Sequence, residues 1–216
     1  MINGVVIIHK MPDFTSHDVV AKMRGICGQK KVGHTGTLDP MATGVLPVCL
    51  GSATKVCDML ADRDKEYVAE LLLGVVTDTQ DITGKVLAQH NPESSEEKVQ
   101  EAILSFQGEY SQIPPMYSAL KVNGKKLYDL ARAGKVVERQ PRQVFIYEIH
   151  IESVKLPRVV MTVCCSKGTY IRALARDIGQ ALGSGAHLTA LRRTRVGEYV
   201  TDNCFTPESF EQWLEQ

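Results

Sequence analysis

Apolar and polar positions follow two different periods along this chain, and the period separates strands from helices. Apolar runs rich in β-branched residues predict strands over residues 4–8, 67–76, 144–154 and 159–165. Apolar side chains three and four positions apart predict helices over residues 15–26, 94–106, 125–134, 170–182 and 209–214. Because the two kinds of element do not alternate regularly, we expect an α+β fold with a largely antiparallel mixed sheet flanked by helices.

Residues 25–51 lack either period and are rich in glycine and proline. We predict a long structured loop here, and loops of this length in a compact protein usually carry function. The segment contains Asp39, which precedes Pro40 and is therefore biased toward an extended backbone. A carboxylate in such a loop can act as a nucleophile or general base, or can simply cap the following turn. Local chemistry leaves these alternatives open.

The composition describes an ordinary globular protein, with 44% hydrophobic and 23% charged residues. The apolar runs are far shorter than the roughly 20 residues that span a bilayer, and no signal peptide is recognisable. Six cysteines occur without a CxxC pair. This pattern favours reduced thiols in a cytoplasmic protein and predicts no metal site.

Basic and acidic residues balance at 25 each, so affinity for a polyanion has to come from local clusters. Residues 117–142 include seven basic residues and only two acidic ones. Arg192, Arg193 and Arg195 form a second cluster. A solvated surface is the simplest interpretation, but Tyr117, Tyr128 and the glycines interleaved with the cations favour RNA binding.

One long string identifies a family. Residues 33–55, GHTGTLDPMATGVLPVCLGSATK, resemble the catalytic motif of the TruB family of tRNA pseudouridine synthases. Further matches follow in the order of the family, at residues 64–67 (DKEY), 77–81 (TDTQD), 114–121 (PPMYSALK), 166–172 (SKGTYIR) and 185–194 (GAHLTALRRT). The resemblance extends from about residue 4 to residue 200.

The resemblance implies the pseudouridine synthase fold and isomerisation of uridine to pseudouridine at position 55, in the T-loop of tRNA. The base must be flipped out of the loop. No cofactor is needed, because the product is a carbon–carbon isomer of the substrate. The resemblance also implies a monomer whose partner is the T stem-loop, with residues 1–216 as a single catalytic domain. A thumb-like RNA-binding insertion is expected at about 113–143, and no C-terminal PUA domain is expected.

The resemblance assigns roles to individual residues. Asp39 is the essential carboxylate, as nucleophile or as base at C2′. Arg172 should pair with Asp39, and Tyr67 should stack on the base and assist proton removal at C5. The expected substrate-binding residues are Lys10, His34, Tyr170 and Leu191. The expected RNA-binding residues are Lys121, Lys125, Lys126, Arg132, Arg192 and Arg193.

The sequence departs from the family near its start. Members usually have lysine-proline-x-glycine there, whereas this chain has Lys10, then Pro12, with Asp13 in place of glycine. An alternative function on the same scaffold is a non-catalytic RNA-binding protein or tRNA-folding chaperone, although the presence of Asp39, Tyr67 and Arg172 favours the enzyme.

Overall fold

The computed structural model describes residues 1–122 and 124–216. The helices in that part of the chain are α1 (Ser16–Ile26), α2 (Cys57–Ala61), α3 (Glu96–Leu104), α4 (Leu127–Arg132), α5 (Ile171–Ala181) and α6 (Pro207–Leu214). The start of α1 shows why the sequence forms a helix at that point. The Thr15 hydroxyl accepts a hydrogen bond from the Asp18 backbone, and the Asp18 carboxylate accepts one from the Thr15 backbone. None of these helices is long and apolar enough to cross a membrane.

The strands of the described residues are β1 (Gly4–Lys10), β2 (Val32–His34), β3 (Thr43–Leu50), β4 (Lys65–Leu73), β5 (Val75–Thr77), β6 (Val86–Gln89), β7 (Gly108–Gln112), β8 (Lys121–Val122), β9 (Lys125–Lys126), β10 (Arg142–Lys155), β11 (Arg158–Cys165), β12 (Ala186–Val196) and β13 (Tyr199–Val200). Nine of them form one mixed sheet. Antiparallel pairs predominate among the described pairings, and the β3–β12 pair is parallel. The predicted α+β class with a largely antiparallel mixed sheet is confirmed.

The chain forms two compact units, one made of Met1–Val68 with Leu191–Gln216 and the other of Ala69–Ala190. In the first unit, β3 lies between β1 and β12. The core beside β1 and β3 is filled by α1 and α6, with Met23 fully buried and Phe210 nearly so. The first unit is built from two chain segments that are distant in sequence. Its boundary therefore could not be recognised from a linker in the sequence. That residues 1–216 act as a single catalytic domain stays a prediction.

In the second unit, β10 lies between β11 and β7 in antiparallel register. β7 ends at Gln112 and β10 begins at Arg142, and these two residues pair across the ladder. The segment 113–141 therefore leaves the sheet and returns to it at neighbouring positions. We call residues 113–141 the insertion. That it is the RNA-binding insertion expected at about 113–143 stays a prediction.

Two sequence predictions about strands were wrong. The segment 25–51 contains β2 and β3, and nearly all of β3 is buried, so no alternation revealed it. The strand predicted over 67–76 is divided at Gly74, where φ is +85°. β12 was not predicted, because its arginines and threonines hid a strand whose buried side chains include Ala186, Leu188, Leu191 and Val196.

Candidate active site

The Asp39 loop comprises residues 35–42, between β2 and β3 of the first unit. The residues on either side of Asp39 hold this loop in place. Asp39 is half-buried, between the buried side chains of Leu38 and Ala42. Its carbonyl oxygen accepts a hydrogen bond from the Ala42 backbone at 3.0 Å. Ser16, at the start of α1, holds Leu38 through both backbone groups, at 2.9 and 3.3 Å. The loop therefore holds Asp39 on a rigid support, as a reacting carboxylate requires.

Lys10 supports the same loop from the end of β1. Its side chain is fully buried, and Nζ donates to the carbonyl oxygens of Met11, Phe14 and Pro40 at 2.9, 2.6 and 3.0 Å. Burial lowers the pKa of Lys10 to about 8, against the opposing effect of the Asp39 carboxylate. Since all three protons have protein acceptors, this geometry makes Lys10 a positioning residue. Its predicted contact with substrate stays a prediction.

Asp13 occupies the position where the sequence departs from the family. Its φ is +64°, in the left-handed region that favours glycine. The Asp13 backbone N–H donates to the carbonyl oxygen of Pro40 at 3.0 Å. The turn thus takes a glycine-type conformation and reaches the Asp39 loop with an aspartate in that place.

The arginines of β12 have different environments. Arg192 is exposed, whereas Arg193 is only 1% exposed. Arg193 donates to the carbonyl oxygens of Val45 and Gly36, at 2.7 and 3.2 Å. In the structure Arg193 supports the backbone that leads to Asp39. The sequence grouped Arg193 with Arg192 as an RNA contact, and that assignment stays a prediction.

His34 ends β2 and is half-buried. Burial, with smaller effects from His17 and Arg193, lowers the pKa of His34 to about 4, so the imidazole is neutral at pH 7. Its Nδ1 atom is buried and has no hydrogen-bond partner among the described residues. The ring meets that of His17 edge to face, with centroids 5.3 Å apart. A neutral ring of this kind can contact an uncharged base, and the assignment of His34 to substrate stays a prediction.

Tyr67 and Leu191 are the two apolar residues of the first unit that were predicted to contact the base. Tyr67 occupies a buried position of β4, where buried and partly buried positions alternate. Leu191 is likewise buried, in β12. Their burial fits the walls of an apolar pocket, and their contacts with substrate stay predictions.

Arg172 lies in the first turn of α5, in the second unit, and is 4% exposed. Its guanidinium donates to the carbonyl oxygens of Thr79 and Tyr117, at 2.9 and 2.7 Å. Tyr170 is the N-cap residue of the same helix and is half-buried. Tyr170 and Arg172 therefore both lie at the N-terminus of α5. The predicted ion pair of Arg172 with Asp39 stays a prediction.

Asp81 is a polar residue of this unit that sequence reasoning did not select, although it lies in the matched string 77–81. It is 4% exposed, and its Oδ2 atom lies 3.8 Å from Nε of Arg172. Its Oδ1 atom accepts hydrogen bonds from the Thr79 hydroxyl and from the backbone and hydroxyl of Thr83. These donors compensate the Asp81 carboxylate for its burial, and the carboxylate in turn steadies the arginine.

The predicted RNA-binding cations of the insertion cluster around Tyr128. Nζ of Lys126 lies 3.0 Å from the Tyr128 hydroxyl and 5.2 Å from the ring centroid, and Arg132 approaches the same ring at 5.4 Å. Lys121 and Lys125 are exposed. In contrast, Arg139 donates to the carbonyl oxygen of Pro114 at 3.0 Å. Most of the cluster is thus available to a ligand, while Arg139 fastens the base of the insertion.

No group of three or more potential metal ligands occurs in residues 1–122 and 124–216.

Solved structures share this architecture. A crystal structure of a Cbf5-Nop10-Gar1 complex matches 98% of this chain with 35% sequence identity and a TM-score of 0.74. An H/ACA RNP bound to a substrate RNA containing 2′-deoxyuridine matches 98% with 32% identity and a TM-score of 0.73. This chain spans 56% and 55% of those two chains. The likeness shows the fold, and the family model with the named sequence relatives gives the class: the protein is a pseudouridine synthase, an isomerase.

Sequence comparisons give the family. The profile of the TruB family pseudouridylate synthase (N terminal domain) matches residues 24–171, and that of the tRNA pseudouridylate synthase B C-terminal domain matches residues 172–216. Curated relatives named tRNA pseudouridine synthase B include those of Alkaliphilus oremlandii (52% identical, covering 97% of this chain and 70% of the relative) and Geotalea uraniireducens (51% identical, covering 99% and 69%). The chain belongs to the TruB family.

Proposed function

We propose that this enzyme converts uridine to pseudouridine at position 55, in the T-loop of tRNA, and that Asp39 is its essential carboxylate. Relatives about half identical to the chain carry the name of a tRNA enzyme. The observation that carries the assignment of Asp39 is the loop geometry. Lys10, Ser16 and Arg193 fix the backbone around Asp39 through its neighbours, and the reacting carboxylate itself stays half-buried.

The reaction breaks the bond between N1 of uracil and C1′ of ribose, turns the detached base, and forms a bond between C5 and C1′. The C5 proton is lost and N1 gains a proton, so atoms and charge balance without a cofactor. Asp39 acts at the junction of sugar and base, as nucleophile at C1′ or as base at C2′. Tyr67 stacks on the flipped base and assists removal of the C5 proton. Arg172 pairs with the Asp39 carboxylate and aims it at the junction of sugar and base.

The remaining assignments complete the proposal. His34, Tyr170 and Leu191 contact the flipped nucleotide, and the exposed cations of the insertion with Arg192 contact RNA phosphates. The enzyme works as a monomer in the cytoplasm. The free thiols of all six cysteines support a reducing compartment.

The test is release of tritium from 5-tritiated uridine in a tRNA transcript. The wild type should release one tritium for each pseudouridine formed. Asp39→Asn keeps the shape of the side chain but loses its charge and nucleophilicity. Because general acid–base roles alone contribute about 10²–10⁴ in rate, we expect this variant to fall below a thousandth of the wild-type rate. Its affinity for tRNA should be preserved.

Asp58→Asn is the matched control, because Asp58 is an exposed residue of α2; it should be as active as the wild type. Tritium release by Asp39→Asn above a tenth of the wild-type rate would remove Asp39 from the mechanism. A wild type that binds tRNA tightly but releases no tritium would instead support a non-catalytic RNA-binding protein.

A further inference from the structure

Gln112 is a buried polar residue that the roles assigned so far do not use. It ends β7, its side chain is 1% exposed, and the insertion begins at the next residue. A buried amide has to be hydrogen-bonded, because its desolvation is otherwise uncompensated. Its partners therefore show what it holds in place.

The Gln112 amide pairs with both backbone groups of Tyr170. Its Oε1 atom accepts from the Tyr170 N–H at 2.8 Å, and its Nε2 atom donates to the Tyr170 carbonyl oxygen at 3.1 Å. This pairing resembles that of one peptide group with another in a sheet. The two residues are 58 positions apart in sequence, so the contact depends on tertiary structure alone.

Tyr170 is where the helix of Arg172 begins. It is the N-cap of α5 and has no side-chain capping bond, so the backbone at this helix terminus lacks the usual local support. Gln112 supplies support from outside the helix. Arg172 follows two residues later and donates to the carbonyl oxygen of Tyr117, inside the insertion.

β7 and the first residues of the insertion are tied to α5 at further points. The Tyr110 hydroxyl donates to the Asp177 carboxylate, and Arg176 donates to the Ile113 carbonyl oxygen at 3.1 Å. Burial raises the pKa of Tyr110, and a hydrogen bond from Gln112 opposes that rise. The residues from Tyr110 to Tyr117 therefore follow α5 through successive hydrogen bonds, with Gln112 at the point where the sheet ends.

We propose that Gln112 is a positioning residue for the isomerisation: it fixes the backbone at Tyr170 and thereby sets Arg172 relative to the base of the insertion. The proposal rests on the proposed function. Gln112 need not touch RNA, so its loss changes the rate of the chemical step and leaves RNA affinity nearly unchanged.

The experiment measures single-turnover pseudouridine formation with saturating enzyme, beside the equilibrium affinity for tRNA. Gln112→Met keeps the length of the side chain but removes its donor and acceptor. Because misplacement of a reacting group by about 1 Å can cost 10²-fold in rate, we expect the rate constant to fall about 10- to 100-fold. The dissociation constant should stay within about twofold of the wild type. A rate constant measured with excess enzyme reports folded molecules only, so a loss of stability alone would not lower it.

Gln143→Met is the matched control, because Gln143 lies on the neighbouring strand and is exposed; it should react like the wild type. Gln112→Glu is the second variant. When ionised, its carboxylate faces the Tyr170 carbonyl with no proton to donate. When protonated, it again has one donor and one acceptor. Burial raises the pKa of such a carboxyl, so its rate relative to the wild type should rise as pH falls from about 8 to about 6. The titratable and charged residues that contact or pair with residue 112 include Tyr110, Tyr170 and, across the ladder, Arg142. Asp177 accepts hydrogen bonds from both Tyr110 and Arg176.

A Gln112→Met rate constant within about twofold of the wild type would overturn the proposal. If Gln112→Met does not fold, Gln112→Glu decides: a relative rate that does not change with pH would show that the amide pair does not set the rate. A wild type that forms no pseudouridine would contradict the proposed function and this inference with it. An active wild type with an unaffected Gln112→Met would contradict this inference alone.

Discussion

At the scale of single residues, the buried cations Lys10 and Arg193 have the same role. Arg193 donates to the carbonyl oxygens of Gly36 and Val45. Lys10 donates to that of Pro40 and to two carbonyls of the turn before α1. A loop turns its peptide groups in many directions, and buried carbonyls without partners would destabilise it. A long side chain with several donors satisfies two or three of them at once. From sequence, Lys10 is expected to bind substrate and Arg193 to bind RNA, and both contacts stay predictions.

Asp13 offers a test of the turn beside this loop. An L residue at a φ of +64° is strained, and glycine is not. Asp13→Gly and Asp13→Ala remove the same carboxylate and differ only in the Cβ atom. We therefore expect the glycine variant to have the higher free energy of unfolding, by about 1 kcal/mol. Urea denaturation of the two variants measures this difference. If alanine proves equally stable, the turn does not hold the left-handed conformation in solution.

At the scale of elements, the insertion combines a fastened base with an exposed cluster of cations. Arg139 ties its second arm to Pro114 in its first arm. Beyond that base, the ring of Tyr128 lies close to both Lys126 and Arg132. A hydrogen bond to Tyr128 raises the pKa of Lys126, so this side chain is positively charged at neutral pH. Cations held in this way are suited to RNA phosphates.

The insertion should therefore contribute to the salt dependence of RNA binding. Replacing Lys125, Lys126 and Arg132 together by alanine should weaken tRNA binding and make its logarithmic dependence on salt less steep, by about 0.7 to 0.9 per lost phosphate contact. The single-turnover rate at saturating enzyme should change little. Titrations of tRNA at several salt concentrations measure both quantities.

A second triple variant controls for net charge. Lys85, Lys98 and Lys155 are exposed lysines of the same unit, and their replacement by alanine removes the same three charges. This control should keep the wild-type salt slope if the insertion is a specific contact surface. Identical slopes for the two triple variants would show that only net charge matters.

At the scale of the whole molecule, the protein has 25 basic and 25 acidic residues. A neutral protein gains little from long-range attraction to a polyanion, so selectivity has to come from the fit of local surfaces to a folded RNA. The proposed substrate, the T-loop of tRNA, presents such a shape. Flipping a uridine out of it costs a few kcal/mol, which those surface contacts have to offset.

An isolated T stem-loop should accordingly be a substrate nearly as good as tRNA. An unstructured RNA of the same composition should have a kcat/KM at least tenfold lower, which corresponds to about 1.4 kcal/mol of lost recognition. Tritium release from each RNA, at equal ionic strength, measures the difference. Equal activity on the unstructured RNA would contradict recognition by shape.

The sequence by itself determined the class of fold, most helices and the family, because these depend on local periodicity and on long contiguous motifs. The helices α1, α3 and α5 were predicted within two residues at most boundaries, since their apolar faces repeat every three to four positions. Asp39 and Arg172 were predicted as site residues because each lies inside such a motif, and their roles stay predictions. β3 and β12 were missed, since burial on both faces or a run of arginines removes the alternating pattern of a strand.

Only the tertiary structure decided which polar side chains support the site. Whether a lysine or arginine faces solvent or a buried carbonyl depends on chain segments far away in sequence, as for Lys10 with Pro40 and Arg193 with Gly36. The same holds for Gln112, whose partner Tyr170 lies 58 positions away. Local sequence carries the period of an element, but a buried hydrogen bond is a property of two segments brought together by folding.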